Sequence, residues 1–168
     1  MVRLPYEFYA RPCDRVAREL VGKILVCRGK RLRISETEVY WGTSDTACHA
    51  SRGKTKRNEV LWDEPGTVYV YLCYGMHWML NIITGTRGDP QGVLIRACAE
   101  APGPGKLTKA LGITGEFNRA NILTDPELWI EDDGARFEII PDKRVGIGYA
   151  SQEDQDRLWR YKMAKVPD

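Results

Sequence analysis

The 168-residue sequence has no C-x-x-C pair and only two histidines, His49 and His77. Its five cysteines, Cys13, Cys27, Cys48, Cys73 and Cys98, are odd in number and evenly scattered. That excludes the ligand spacing of a structural zinc or an iron–sulfur site, so no metal is expected. The thiols read as small apolar residues in a reducing compartment. No apolar run approaches the roughly 20 residues that a membrane span needs. The opening MVRLPYEFYARPCD lacks the apolar core of a signal peptide, so an intracellular, soluble protein is expected, in cytoplasm, nucleoid or nucleus. There is no internal repeat and no low-complexity tract.

What is present is ordinary in amount and uneven in arrangement. Apolar residues make up 43% and charged residues 29%, within the range of one compact domain with a sizeable core. The net charge is only +2, yet residues 1–57 carry 13 Lys/Arg against 6 Asp/Glu, and residues 58–168 carry 12 against 17. Such an asymmetry fits a basic surface facing a polyanion, and equally a solvated basic face.

Periodicity predicts a mixed α+β fold around a curved, mostly antiparallel sheet. Cys13, Val16, Ala17, Leu20 and Val21 form an apolar stripe, which predicts a helix over 11–21. Strands are expected at 23–28 and 31–40 across the turn at Gly29, and at 67–74 and 92–99, with another apolar run at 77–83 after Gly75. APGPGK (101–106) should open a helix running to Leu111, and a short helix is expected over 125–130. Strands near 136–140, 145–149 and 157–164 complete the chain. The segment GTSDTACHASRGKTKRN (42–58) reads as a long functional loop.

Three segments carry candidate chemistry. With period 2, Leu32, Ile34, Glu36, Glu38 and Tyr40 fall on one strand face. A partly buried carboxylate there could act as a general base; the alternative is a strand end emerging into solvent. Tyr69, Tyr71, Tyr74 and Trp78 form a dense aromatic patch, fit to stack on bases or to serve as core. His49, Arg52, Lys54, Lys56 and Arg57 suit phosphate contacts, or a solvated loop. Together these are the parts needed to extract a base from a duplex and hydrolyse its bond to sugar. Two rival readings stay open on the residues alone. One is a non-catalytic nucleic-acid binder. The other is a two-carboxylate glycosidase built on Glu36 and Glu38, whose parallel projection flanks a bond poorly.

ETEVYWG (36–42), His49 and SRGKTKRN (51–58) resemble the alkyladenine (3-methyladenine) DNA glycosylase family. PGTVYVYLCYGMHWMLN (65–81), VLIRACAE (93–100), GPGKLTKALGI (103–113), VGIGYA (145–150) and LWRY (158–161) continue the resemblance in the same order. It implies a single domain over 1–168, without metal or organic cofactor, acting on double-stranded DNA as a monomer and needing no membrane. It implies that Glu38 is the general base and that Arg96 supports the water beside it. Tyr40 and His49 on one side and Tyr71 on the other would sandwich the flipped base, above Asn81 on the pocket floor. Tyr74 would fill the gap left in the duplex, and Arg52, Lys54 and Arg57 would meet the DNA backbone. The implied substrates are 3-methyladenine, 7-methylguanine, hypoxanthine and ethenoadenine. Glu36 should pair with an arginine or point away, and Lys106 should contact phosphate or cap structure. TGTRGDPQG (84–92) departs from the family pattern in length, and a start so near the first helix reads as a form without an N-terminal extension.

Overall fold

A computed structural model describes residues 1–167. Its elements in chain order are β1 (Val2–Arg3), α1 (Tyr6–Tyr9), α2 (Cys13–Leu20), β2 (Ile24–Cys27) and β3 (Lys30–Trp41). Then come β4 (Val68–Cys73), β5 (His77–Ile83), β6 (Gln91–Cys98), α3 (Pro104–Leu111), β7 (Leu128–Asp132), β8 (Ile139–Asp142), α4 (Gln152–Asp156) and β9 (Arg160–Met163). The strands form one curled antiparallel sheet, in the order β1-β7-β2-β3-β6-β5-β4. The long β3 organises it. Its first residues pair with β2, its remainder pairs with β6, and β9 joins the edge that β2 leaves at Glu36–Glu38. Among the described residues no helix is long and apolar enough to cross a membrane.

The predicted apolar stripe forms α2, with Cys13, Val16, Ala17 and Leu20 all fully buried. Burying side chains of this size stabilises by about 1.5–3 kcal/mol each, before the entropy of ordering is counted. Thr37 on β3 donates its hydroxyl to Ala17 O at 2.7 Å, fixing the helix on the sheet. α3 covers the same face farther along and begins at Pro104, where a missing N–H costs no helical bond. Thr108 Oγ1 donates to Trp78 O at 2.9 Å, tying α3 to β5. Space is tight there: a Cβ on Gly105 would sit 2.7 Å from His77 Nδ1.

Strand alternation decides what faces where. Val68 and Val70, Leu80 and Ile82, and Val93 and Ile95 all join the core beneath the helices. Their neighbours Tyr69 and Tyr71, Asn81, and Leu94 and Arg96 therefore face the other side. On that side the loop after β3 packs a second cluster, with Cys48, Ala50, Val60 and Leu61 against Tyr69 and Ile83.

Four expectations are corrected. The β3 face does not run unbroken from Leu32 to Tyr40. A bulge between Ile34 and Thr37 shifts the parity, so Ile34 and Val39 share the helix-side core while Glu38 and Tyr40 face away. The pairing with β6 shifts twice here, between Ile34 and Glu36 and between Glu36 and Thr37, and such an irregularity re-aims the side chains that follow. Residues 125–130 do not form a helix. Asp125 Oδ1 accepts the N–H groups of Glu127 and Leu128 at 2.8 and 2.9 Å, and this turn launches strand β7. A capping aspartate before a proline serves a turn as well as a helix. The strand expected at 136–140 begins only at Ile139. Residues 145–149 are not a strand at all; their backbone has another use, described below.

Candidate active site

One register row crosses the sheet: Tyr69 opposite Asn81, Asn81 opposite Leu94, Leu94 opposite Glu38, and Glu38 opposite Arg160. Alternation thus brings residues from five strands to one face. Above the row lies a cleft of about 730 Å³. Glu38, Tyr40, His49, Tyr71, Tyr74 and Arg96 all line it, with Arg52 and Arg57 at its mouth.

Glu38 is 0% exposed. Its carboxylate is nevertheless provided for. Tyr40 donates its hydroxyl to Oε1 at 2.9 Å, and the Val145 backbone N–H donates to Oε2 at 2.8 Å. Arg96 Nε lies 3.7 Å from Oε2. Burial raises the Glu38 pKa above the ordinary carboxylate value, while the Val145 N–H, the Arg96 charge and the Tyr40 hydroxyl each pull it back. The outcome is a carboxylate that accepts a proton more readily than an exposed one.

Glu36, two residues away, is held by Arg160 at 3.3 Å and Arg96 at 3.6 Å. Arg96 therefore bridges the two carboxylates and suppresses their repulsion. The glycosidase reading needs two carboxyls facing across a bond; here one is locked in an arginine cluster on the sheet rim.

The aromatic side chains differ in part from expectation. His49 and Tyr71 are neighbours, with ring centroids 4.6 Å apart and a 58° tilt. Rings already in this contact leave no room for a flat ring between them, so they do not stand as opposing walls. Tyr69 closes the group, 5.2 Å from Tyr71, with its hydroxyl 3.1 Å from His49 Nδ1. Burial, helped by the Arg57 charge, lowers the His49 pKa and favours the neutral imidazole. Burial pushes Tyr69 up to about 12 and Tyr40 and Tyr71 upward too, keeping the hydroxyls protonated. Asn81 is buried in a small recess under these rings, its Nδ2 donating to Tyr69 O at 3.2 Å and Met79 O at 3.3 Å.

Tyr74 stands at the tip of the β4–β5 hairpin, 93% exposed and with φ of +52°. A non-glycine residue in this region costs roughly 1 kcal/mol or more of backbone strain. Replacing Tyr74 by Gly is therefore expected to leave the fold as stable or slightly more so. Lesion processing should fall, because the exposed ring is lost; a melting curve beside an excision assay reads both. A Tyr74→Gly protein with full excision would deprive the ring of any role.

The loop behind His49 is shaped by a buried asparagine. Asn58 Nδ2 donates to His49 O at 3.1 Å and Gly53 O at 3.0 Å, and Thr55 N donates to Asn58 Oδ1 at 2.6 Å. This clasp presents Arg52, Lys54, Lys56 and Arg57, all exposed and none in an ion pair among the described residues. Lys54 leans over Trp62 and Arg57 over Tyr71. Lys106 is exposed on the first turn of α3.

Sequence reasoning missed two contributors to the cleft. The Val145 N–H belongs to a stretch taken for a strand, and the pair Gly146 and Gly148 was the available sign of irregular backbone. Tyr149 lines the cleft with its hydroxyl donating to Ala47 O at 2.8 Å. All five cysteines are free, and no three His, Cys, Asp or Glu side chains converge as a metal site among the described residues.

The sequence profile described as methylpurine-DNA glycosylase matches residues 7–102 and 99–167. Three relatives carry the name "Putative 3-methyladenine DNA glycosylase". The one from Rickettsia felis is 40% identical, covering 99% of this chain and 96% of its own. That from Methanocella arvoryzae is 43% identical, covering 94% and 90%. That from Borrelia garinii subsp. bavariensis is 38% identical, covering 92% of each. With the profile matched over nearly the whole sequence, this chain belongs to the methylpurine-DNA glycosylase family of DNA-repair enzymes.

Proposed function

We propose that residues 1–168 act as one monomeric glycosylase domain. It rotates an alkylated or deaminated purine out of duplex DNA and hydrolyses its N-glycosidic bond with water activated by Glu38. The observation that carries this reading is a fully buried carboxylate at the floor of an aromatic cleft, beside an exposed tyrosine on a strained tip. Tyr74 enters the base stack as the nucleotide leaves it. Extrusion costs a few kcal/mol, and less where pairing is already weak, which favours lesions. The base stacks on Tyr71 and Tyr40, and its entry parts His49 from Tyr71. Asn81 on the floor limits groups at the purine 2-position.

A cationic base such as 3-methyladenine or 7-methylguanine gains roughly 0.5–2 kcal/mol over these rings. A neutral His49 does not repel it. In the chemical step the C1′–N9 bond breaks and its electron pair leaves with the base. Water attacks C1′ and gives a proton to Glu38, whose charge also stabilises the oxocarbenium-like transition state. Arg96 holds the carboxylate and the water in place. Neutral lesions, hypoxanthine and ethenoadenine, need in addition a proton on the departing purine. No amine takes part, so the product is an abasic site in an unbroken strand.

The test is a labelled duplex carrying one hypoxanthine, ethenoadenine or 3-methyladenine, incubated with the protein and then split between hot alkali and none. Strand cleavage only after alkali supports the reading. Cleavage without alkali replaces it with a lyase. No alkali-labile site on any lesion, with binding retained by gel shift, replaces it with a binder.

The loop supplies backbone contacts from Arg52, Lys54 and Arg57. Each contact releases about one counterion, so Lys54→Ala or Arg57→Ala should lower the slope of log affinity against log salt by about 1. Fluorescence anisotropy from low to moderate salt measures it. An unchanged slope in both would move the phosphate track elsewhere.

A further inference from the structure

Behind the cleft lies a second ion pair, whose contacts reach the segments that hold Glu38. The side chains of Arg144 and Asp45 are both 0% exposed. The guanidinium grips Asp45 as a fork, Nη1 to Oδ2 at 2.7 Å and Nη2 to Oδ1 at 3.0 Å. Nη1 also donates to Val39 O at 2.9 Å and Nη2 to Asp154 O at 3.2 Å. Aromatic rings flank the group, with Tyr40 at 5.2 Å and Trp159 at 5.0 Å. Asp45 in turn accepts the N–H of Trp41 at 2.9 Å and of Ala47 at 3.1 Å.

Stability alone does not account for such a pair, since apolar residues of equal volume often serve as well. Its contacts are informative by where they go. They join strand β3, which carries Glu38 and Tyr40, to the loop that carries His49 and to the irregular stretch 143–150. That stretch delivers the Val145 N–H to Glu38 without a sheet ladder to hold it. Val145 itself is 46% exposed, so its own side chain anchors nothing. Its neighbouring anchors are Arg144, on its N-terminal side, and beyond it the buried Ile147 and the Tyr149 hydroxyl on Ala47 O.

We propose that Arg144 and Asp45 are positioning residues for the hydrolysis. Through the Val145 N–H and the Tyr40 ring they hold the Glu38 carboxylate in the orientation that receives a proton from water. The inference rests on the reading of Glu38 as the base. The groups facing Glu38 are Glu36 and Tyr40 on its own strand, Arg160 from β9, Arg96 from β6, Tyr71 from β4, and Arg144, Tyr149 and the Val145 N–H from the 143–150 stretch. Loosening the Val145 N–H removes a bond made to the ionised form. Glu38 should then protonate at higher pH, and the acid limb of the reaction should move up with it.

Two near-isosteric variants test this. Arg144→Lys keeps the charge but cannot form the fork, and Asp45→Asn keeps the shape. Glu38 is titrated in the free protein by carbon-13 NMR of labelled glutamate carboxylates, identified by its absence in Glu38→Gln. The pH profile of kcat for hypoxanthine release is measured beside it. In Arg144→Lys Glu38 is expected to titrate about one pH unit higher, the size of one hydrogen bond to a charged group; in Asp45→Asn the lost negative charge works the other way, and the rise should be smaller. Below the limb kcat should fall about tenfold, with KM held within about threefold. An unshifted Glu38 titration, with kcat lowered evenly at all pH, would overturn the proposal and leave a merely structural pair. Should Asp45→Asn, which leaves the guanidinium without its charge partner, fail to fold, Arg144→Lys decides alone. If the wild type releases no base, the glycosylase reading fails, while the free-protein titration still decides whether the pair governs Glu38.

Discussion

Glu38→Gln is expected to lower base release at least about a thousandfold while leaving lesion binding intact. Gln can replace the hydrogen bonds but not the chemistry. Its oxygen accepts the Val145 N–H, and its NH₂ donates to a Tyr40 hydroxyl turned round to accept. It cannot take a proton from water, and it brings no charge to the oxocarbenium-like transition state. Single-turnover excision beside gel-shift affinity separates the two effects. Stability supplies a third readout. The folded-state pKa of Glu38 lies above its unfolded value because burial dominates. Its contribution therefore favours folding below the unfolded pKa and fades as pH rises through the folded one. At neutral pH the Gln protein should melt no lower than the wild type. A Glu38→Gln protein that excises at the wild-type rate would sink the assignment of the base. Glu36→Gln, by contrast, should act only through the placement of Arg96 and cost far less; the reverse ranking would exchange the two glutamates.

Asp45→Ala should have the largest effect on stability. It strands the Arg144 guanidinium, whose side chain is wholly buried, without its charge partner. Breaking one side of such a pair costs about 3–5 kcal/mol, a large part of the roughly 5–15 kcal/mol that holds a domain folded. For a chain of this length the melting temperature should fall on the order of 10 °C. Asp45→Ala with Arg144→Met should recover much of that loss, because the stranded charge is gone. Recovered stability without recovered excision would agree with a pair that positions Glu38. A single variant as stable as wild type would mean that water reaches the Arg144 guanidinium once Asp45 is cut back.

Local patterns in the sequence determined much of this protein. The stripe from Cys13 to Leu20 set α2, and strict alternation in residues 67–83 set which tyrosines face the cleft and which valines face the core. Those signals are legible because a helix or strand repeats over a few residues and its buried face must be apolar. The run of motifs from ETEVY to LWRY also sufficed to name the family, and with it the residues to watch. Tertiary structure decided the rest. The irregularity between Ile34 and Thr37 inverted the face expected from period 2, since a shift in register leaves no mark in composition. Asp125 and Pro126 launched β7 instead of a helix, because a turn cap reads alike in both and the pairing partner made the choice. Contacts distant in sequence were the least visible. Val145 is 107 positions from Glu38, and Arg144 is 99 from Asp45. A backbone N–H carries no side-chain signature, and two charges reveal their partnership only when the fold has taken both out of water.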